Sequence, residues 1–300
     1  MPVSIAVIVT AFNEGLELAC TLKSVQESVS DGDEMIIVND GSADDSFDSI
    51  DRSNCRVIRH SERLGVAVSR DEAANASQAN TLCFLDGHQR ISIDCIDQCK
   101  RLAISRNAIV CPDISDFGDA QDPLYGAYFR LRTDSPPFSA EWYRQPPINT
   151  VTAVNSLRAP AYVIPRTVYP KVRWSRLLRG WGGSEACVSI KAFFTRTPIL
   201  HLCGPIAYHK FKKTFHYEVT LDEIWRNHAL IARICFSEAT WYDYWLPDVF
   251  REHLSEETQL EMDSDAVKAE HLEFQQIKVR PDHEFWTRLA FQKVPPAVKR

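Results

Sequence analysis

Thr81-Leu82-Cys83-Phe84-Leu85-Asp86-Gly87-His88 is the stretch on which the reading of the whole chain turns. Residues 81–85 have the length and apolar character of a buried strand, and a strand that stops there exposes its last side chains at the sheet edge. Asp86 and His88, two residues apart beyond that edge, can turn into one cleft. A carboxylate beside an imidazole is a donor pair for a divalent cation, and such a cation neutralises nucleotide phosphates. The tripeptide also has a plainer meaning, because Asp-Gly commonly carries a strand into a turn. The neighbouring segments decide between the two.

Working outward, residues 3–10 (Val-Ser-Ile-Ala-Val-Ile-Val-Thr) and 34–39 (Glu-Met-Ile-Ile-Val-Asn) are β-branched runs that predict two more buried parallel strands. Between them, residues 14–28 carry Leu16, Cys20, Leu22 and Val25 at helical spacing, which completes a strand–helix–strand unit. Residues 55–59 form a further short strand, and the alanine-rich stretch 66–79 is the helix joining it to 81–85. Strands alternating with helices in this way define a doubly wound α/β sheet, mostly parallel and flanked by helices. Ligands of such sheets bind beyond the carboxyl ends of the strands, so Ala11-Phe12-Asn13-Glu14, Asp40-Gly41-Ser42 and Asp86-Gly87-His88 are expected on one rim.

After residue 112 the periodicity loosens. Ser135-Pro136-Pro137 and Gln145-Pro146-Pro147 read as long ordered loops over the sheet, suited to an acceptor side or a lid. Regularity returns at 161–164 and in a helix expected from about Gly182 to Phe194. Positions 221, 224, 225, 228, 232, 235 and 236 then make an apolar helical stripe, with His228 counted among its apolar neighbours, and a last helix is expected over 265–277.

With 300 residues, 45% of them hydrophobic, the chain can bury a large core. Its net charge of -6 gives no general attraction to nucleic acid or anionic membrane, leaving only local basic patches such as Lys210, Lys212 and Lys213 for either role. The cysteines number nine, contain no Cys-x-x-Cys pair and sit largely in apolar runs, which predicts free thiols in a reducing compartment. Ser4 to Val9 is too short for a signal sequence or membrane span and has no basic region before it, so a cytoplasmic setting is expected. No Gly-x-Gly-x-x-Gly follows the first strand and no Gly-x-x-x-x-Gly-Lys-Ser/Thr occurs, which removes the dinucleotide and P-loop readings. Phosphate must be held by another device, and a metal is the candidate.

Taken in order, Val9-Thr10-Ala11-Phe12-Asn13-Glu14, Ile37-Val38-Asn39-Asp40-Gly41-Ser42, Arg63-Leu64-Gly65 with Ser69-Arg70, and Phe84-Leu85-Asp86-Gly87-His88 resemble the GT-A glycosyltransferases of the family 2 type. Asp-x-His in place of Asp-x-Asp, together with Gly180-Trp181-Gly182-Gly183 before an acidic residue and a helix, is similar to the polypeptide N-acetylgalactosaminyltransferases. Cys203-Gly204-Pro205-Ile206-Ala207-Tyr208-His209 resembles the segment through which those enzymes supply a third metal ligand. The resemblance covers roughly residues 3–213.

It implies a GT-A fold with a catalytic domain over 1–213, whose nucleotide-sugar half is 1–112 and acceptor half 113–213, and a helical extension over 214–300 packed on it. Asp86, His88 and His209 would bind Mn²⁺ or Mg²⁺ bridging the diphosphate of a UDP-sugar; mixed carboxylate and imidazole ligation with open positions suits Mn²⁺. Asp40 would accept from the uracil imide, Thr10, Ala11 and Phe12 would border base and ribose with Glu14 nearby, and Arg63 and Arg70 would reach the diphosphate; Asp40-Gly41-Ser42 also reads as a helix cap or a turn, and an Arg on an alanine-rich helix as a solvated or salt-bridged residue. Asn39 stands where family members commonly have a first Asp. Gly87, Gly182 and Gly183 would line the donor site, and Trp181 would pack under the sugar or else belong to the core.

Glu185 falls where inverting members carry a general base at the start of a helix, although a Glu in a first helical turn also simply complements the helix dipole. The N-acetylgalactosaminyltransferases retain configuration and have Glu-Asn directly after Gly-Gly; Ser184-Glu185 here agrees better with inversion. The acceptor hydroxyl stays open between a protein or peptide, a glycan and a hydroxymethylated DNA base. A nucleotidyltransferase and a non-catalytic sugar-nucleotide binding module are the alternatives, the first weakened by the absence of an early Gly-rich phosphate loop.

Overall fold

Strand β1 (Ile5–Ala11) is buried along its whole length, which is what a β-branched run flanked on both faces by helices should do. The computed structural model describes residues 4–290 except 31, 49, 52, 118, 133, 159 and 213–216, and omits the side chains of 119–122. The expected strand start at Val3, Lys213 of the basic run and the tail 291–300 lie outside the described residues.

β1 pairs in parallel with β2 (Glu34–Asn39) on one side and β4 (Thr81–Asp86) on the other, and β3 (Arg56–Arg59) extends the parallel set beyond β2. Helices α1 (Leu16–Gln26) and α2 (Val66–Ala76) make the crossovers before β2 and β4. Register brings the strand tips together: Thr10 lies opposite Asp86 and Ala11 opposite Asn39. The three polar segments of the sequence therefore follow neighbouring strands, as the doubly wound pattern predicts.

The sheet continues as β11 (Tyr162–Pro165), antiparallel between β4 and β6 (Ile109–Asp116), then β12 (Ile199–His209), parallel to β6, and β10 (Val151–Val154) at the edge. The short β5 (Gln89–Ile91) leaves the Asp86 tip and pairs with the end of β12, setting His209 opposite Gln89. This pairing carries a histidine from far along the chain to the rim. Strand β7 (Asp119–Leu124) pairs with β6, and β8 (Ala127–Leu131) with β9 (Phe138–Trp142) in a separate hairpin.

Alternation along β1 divides the core. Ile5, Val7 and Val9 face α1 and α3 (Cys95–Arg106) with Leu18, Leu22, Ile96 and Cys99, whereas Ala6 and Ile8 join the cluster on the opposite face. That second cluster takes in α2, α4 (Tyr169–Val172), α5 (Ser184–Phe194), α6 (Leu221–Cys235) and the aromatic side chains Phe236, Trp241, Trp245 and Phe285. Each such fully buried apolar side chain contributes about 1.5–3 kcal/mol. Sheet and C-terminal helices thus share one apolar cluster.

Residues 113–160 contain the strands β7, β8, β9 and β10, where long loops were expected. Ser135-Pro136-Pro137 forms the turn of the β8–β9 hairpin, closed by Arg132 N–H donating to Pro137 C=O at 2.9 Å, and Gln145-Pro146-Pro147 links β9 to β10. The prolines punctuate the strands at positions that donate no ladder bond. β12 runs through Gly204-Pro205, with the register shifting between Leu202 and Ile206 before the strand resumes. The expected helix near Gly182 starts at Ser184, and the expected 265–277 helix is α9 (Asp265–Ile277), which follows the short α7 (Glu238–Thr240) and α8 (Glu256–Glu261).

Candidate active site

A cavity of about 740 Å³ opens over the strand tips, lined by Thr10, Ala11, Phe12, Glu14 and Asp40 and, from later segments, by Phe138, Ser156, Arg158 and His228. Asp86, His88, His209, Trp181, Gly182, Gly183 and Glu185 line it as well. Segments distant in sequence, brought to one rim by the sheet, make the site.

Asp86 Oδ2 lies 3.4 Å from His209 Nε2 and 3.9 Å from His88 Nε2, and the two imidazole rings are 4.8 Å apart at their centroids. All three side chains offer a ligand atom within 4.8 Å of one another, the one such cluster of three or more acidic, histidine or cysteine donors among the described residues. The other oxygen, Oδ1, accepts from Arg70 Nη2 at 2.9 Å. Burial pushes the Asp86 carboxyl up, but the hydrogen bond to His209 and the charge of Arg70 outweigh it and hold Asp86 well below the usual carboxylate range. Asp86 is therefore a carboxylate with one oxygen fixed and the other facing two imidazole nitrogens.

Glu14 Oε2 sits 3.0 Å from His88 Nδ1, within ion-pair distance yet off the line that a hydrogen bond needs, and the Nδ1 atoms of His88 and His209 are both buried without a hydrogen-bond partner. Lys212 Nζ donates to the same Glu14 oxygen at 2.7 Å. A carboxylate behind a ligating imidazole is the usual second layer of a metal site, fixing the ring so that the far nitrogen carries the lone pair. One oxygen and two nitrogens converging in a half-buried cleft, with a carboxylate behind one imidazole, fit a divalent transition metal such as Mn²⁺. Gly87 permits this crowding: a Cβ there would stand 2.9 Å from Glu14 Cγ and 3.0 Å from Ala11 Cβ.

Arg70 is 1% exposed and links the metal candidate to the catalytic candidate. Its Nη1 donates to Glu185 Oε1 at 2.8 Å and to the Tyr162 hydroxyl at 3.1 Å, while Nη2 serves Asp86. The guanidinium expected at the diphosphate is thus largely committed to protein groups. Glu185, in the first turn of α5 after the left-handed Gly183, also accepts from Ser184 Oγ at 2.5 Å. Tyr162 is the neighbour that sequence reasoning missed; burial pushes its phenol well above the ordinary range, so it stands as a neutral donor beside Glu185. Its only signal was a tyrosine in a strand otherwise apolar.

On the nucleotide side, Asp40 is already engaged: Oδ1 accepts from Leu64 N–H and pairs with His60 Nδ1 at 2.8 Å, and Oδ2 accepts from Gly65 N–H. It lines the cavity while anchoring the loop before α2. Asn39 Oδ1 accepts from Ser42 N–H at 2.7 Å. Arg63 stacks over Tyr217 at 3.8 Å and Phe12 at 5.5 Å, which places it on the aromatic wall of the cleft. Burial pushes the Tyr217 phenol up to about 12, with Arg63 opposing. Trp181 lines the cavity half-exposed, so it is not a core residue.

Comparison with known proteins agrees with this architecture. The sequence pattern of glycosyl transferase family 2 matches residues 6–159, just over half of the chain. The chain therefore belongs to glycosyl transferase family 2 and carries a glycosyltransferase domain of the GT-A fold. It is 27% identical over 138 residues to the putative glycosyltransferase EpsH of Bacillus subtilis, a match spanning 44% of this chain and 40% of that protein. Among solved structures, GalNAc-T7 with UDP, GalNAc and Mn²⁺ superposes with a TM-score of 0.72 at 15% identity, covering 96% of this chain and 57% of that one. TarS of S. aureus (residues 1–349) in complex with UDP-GlcNAc gives 0.56 at 13% identity, covering 92% and 82%. Among the described residues no helix is long and apolar enough to cross a membrane.

Proposed function

We propose that this protein is a metal-dependent glycosyltransferase that moves a hexosyl or N-acetylhexosaminyl group from a UDP-sugar to an acceptor hydroxyl. The observation that carries the reading is the convergence of Asp86 Oδ2 and the Nε2 atoms of His88 and His209 in the cavity that also holds Glu185. The structures of GalNAc-T7 with UDP and Mn²⁺ and of TarS with UDP-GlcNAc support the choice of donor.

In this reading Asp86, His88 and His209 hold Mn²⁺ or Mg²⁺, which when bound supplies positive charge to the departing diphosphate. Glu14 orients His88, and Arg70 keeps Asp86 Oδ2 turned to the ligands. Thr10, Ala11, Phe12 and Asp40 border the nucleoside; Gly87 lets the Asp86 turn pack on Ala11, and Trp181, Gly182 and Gly183 border the sugar. The step is an inverting displacement. The acceptor oxygen attacks the anomeric carbon, the bond from that carbon to the diphosphate oxygen breaks with its electron pair going to the diphosphate, and Glu185 takes the acceptor proton. Among the described residues Glu185 Oε2 accepts from Ser184 alone and retains a lone pair for that proton. A protein or peptide, a glycan and a hydroxymethylated DNA base all supply the required hydroxyl, and a cytoplasmic setting suits each of them.

Glu185→Gln tests the base. Loss of transfer with donor binding retained is the expected result, and unchanged turnover removes Glu185 from the role.

A further inference from the structure

His228 entered the sequence reading as one more apolar position of a helical stripe, yet it stands in the wall of the cavity. The residue is 5% exposed and its Nδ1 accepts a hydrogen bond from Phe138 N–H at 3.1 Å, with its ring stacked on the Phe138 ring at 5.5 Å and 16°. An imidazole that accepts through Nδ1 is the tautomer with its proton on Nε2. Burial lowers the His228 pKa to about 3, so the ring is neutral at ordinary pH. Among the described residues Nε2 has no hydrogen-bond partner, and it is not one of the atoms sealed from the cavity.

The place of this ring matters as much as its tautomer. A Cβ built on Gly183 would lie 3.6 Å from His228 Cδ2, the atom next to Nε2. Gly183 caps the helix that presents Glu185. A nine-tenths buried imidazole with a fixed, unpartnered N–H therefore borders the cavity beside the candidate base. That N–H opens to the cavity, where water takes it up or a ligand oxygen that displaces the water does.

We propose that His228 is a sugar-binding residue whose Nε2–H donates to a hydroxyl or carbonyl oxygen of the donor's sugar. A neutral donor fits an uncharged sugar oxygen, in contrast to the charged groups around Asp86. The proposal rests on reading the cavity as a nucleotide-sugar site.

The test compares UDP with UDP-glucose, UDP-galactose, UDP-GlcNAc and UDP-GalNAc, titrated calorimetrically with Mn²⁺ into the full chain. His228→Asn keeps an acceptor oxygen for Phe138 N–H and leaves nothing at Nε2; His228→Phe keeps the stack and is the second variant should the first unfold. His228→Gln returns an amide N–H near the Nε2 position. Expected are a Kd for the preferred sugar nucleotide about fivefold weaker in H228N or H228F, a Kd for UDP unchanged, and recovery in H228Q. Equal weakening of UDP, or a wild-type ratio of sugar-nucleotide to UDP affinity in both variants, overturns the proposal. A wild-type protein that binds no UDP at all overturns instead the nucleotide-sugar reading, and the proposal with it.

Discussion

Asp86 and Glu185 are bound to the two ends of one guanidinium, at 2.9 and 2.8 Å from Nη2 and Nη1 of Arg70. The carboxylate of the metal candidate and the carboxylate of the candidate base are thereby fixed relative to each other by a side chain 1% exposed. Only arginine can do this. Its planar fork serves both partners at once, where a lysine offers a point charge on a flexible stem.

Arg70→Met is expected to lower stability by about 3 kcal/mol, the lower end for breaking a buried pair, because Asp86 and Glu185 each keep about a fifth of their side-chain surface open to the cleft. Arg70→Lys is expected to fold and to lose most transfer. Denaturant unfolding and turnover measured on both variants check this; wild-type turnover in Arg70→Lys contradicts the bridging role.

Glu14→Gln removes the charge behind His88 without altering shape. Mn²⁺ affinity is expected to fall by about 10- to 100-fold, the usual effect of losing a carboxylate behind a ligating histidine. Titration with Mn²⁺ followed by its electron paramagnetic resonance signal reads the change directly, and an unchanged affinity removes Glu14 from the site.

His60 predicts a pH dependence. Burial disfavours its charged form, but the hydrogen bonds to Asp40 and Glu72 outweigh that and raise its pKa above 6.5. A raised folded-state value stabilises the protein fully below the unfolded pKa, and that contribution disappears as pH rises through the folded value. The difference in melting temperature between wild type and His60→Asn is therefore expected to be larger at pH 5.5 than at pH 8.5. A difference that grows with pH contradicts the pairing.

Gly87→Ala is expected to destabilise by about 1–3 kcal/mol, because the added methyl meets Glu14 Cγ and Ala11 Cβ at or below 3.0 Å. Mn²⁺ affinity should fall with it, since Glu14 must shift. Denaturant midpoints and metal titration of the same sample check both halves.

The parallel half of the sheet was legible in the sequence because buried strands announce themselves as β-branched runs, and residues 5–11, 34–39 and 81–86 form the strands so read. The metal trio was legible only through resemblance: nothing in the spacing of His209 from Asp86 states that β5 pairs with the end of β12. Arg70 was seen as a residue of the site, but its partners were not, since both lie across the fold from α2. The strands of residues 113–160 hid behind prolines, although Ala127, Phe129 and Leu131 alternate inward with the period of a strand. His228 was hidden differently. Its helical spacing is that of a core residue, and most of the cavity beside it is made by segments other than its own helix.

The central claim is that Asp86, His88 and His209 hold the metal through which the protein binds a uridine diphosphate. Calorimetric titration of UDP tests it most directly, with wild type and the triple variant Asp86→Ala/His88→Ala/His209→Ala, each in Mn²⁺ and in EDTA. Binding by wild type in Mn²⁺ alone, absent in EDTA and absent from the triple variant, is the predicted result; a triple variant that binds UDP in Mn²⁺ as tightly as wild type contradicts it.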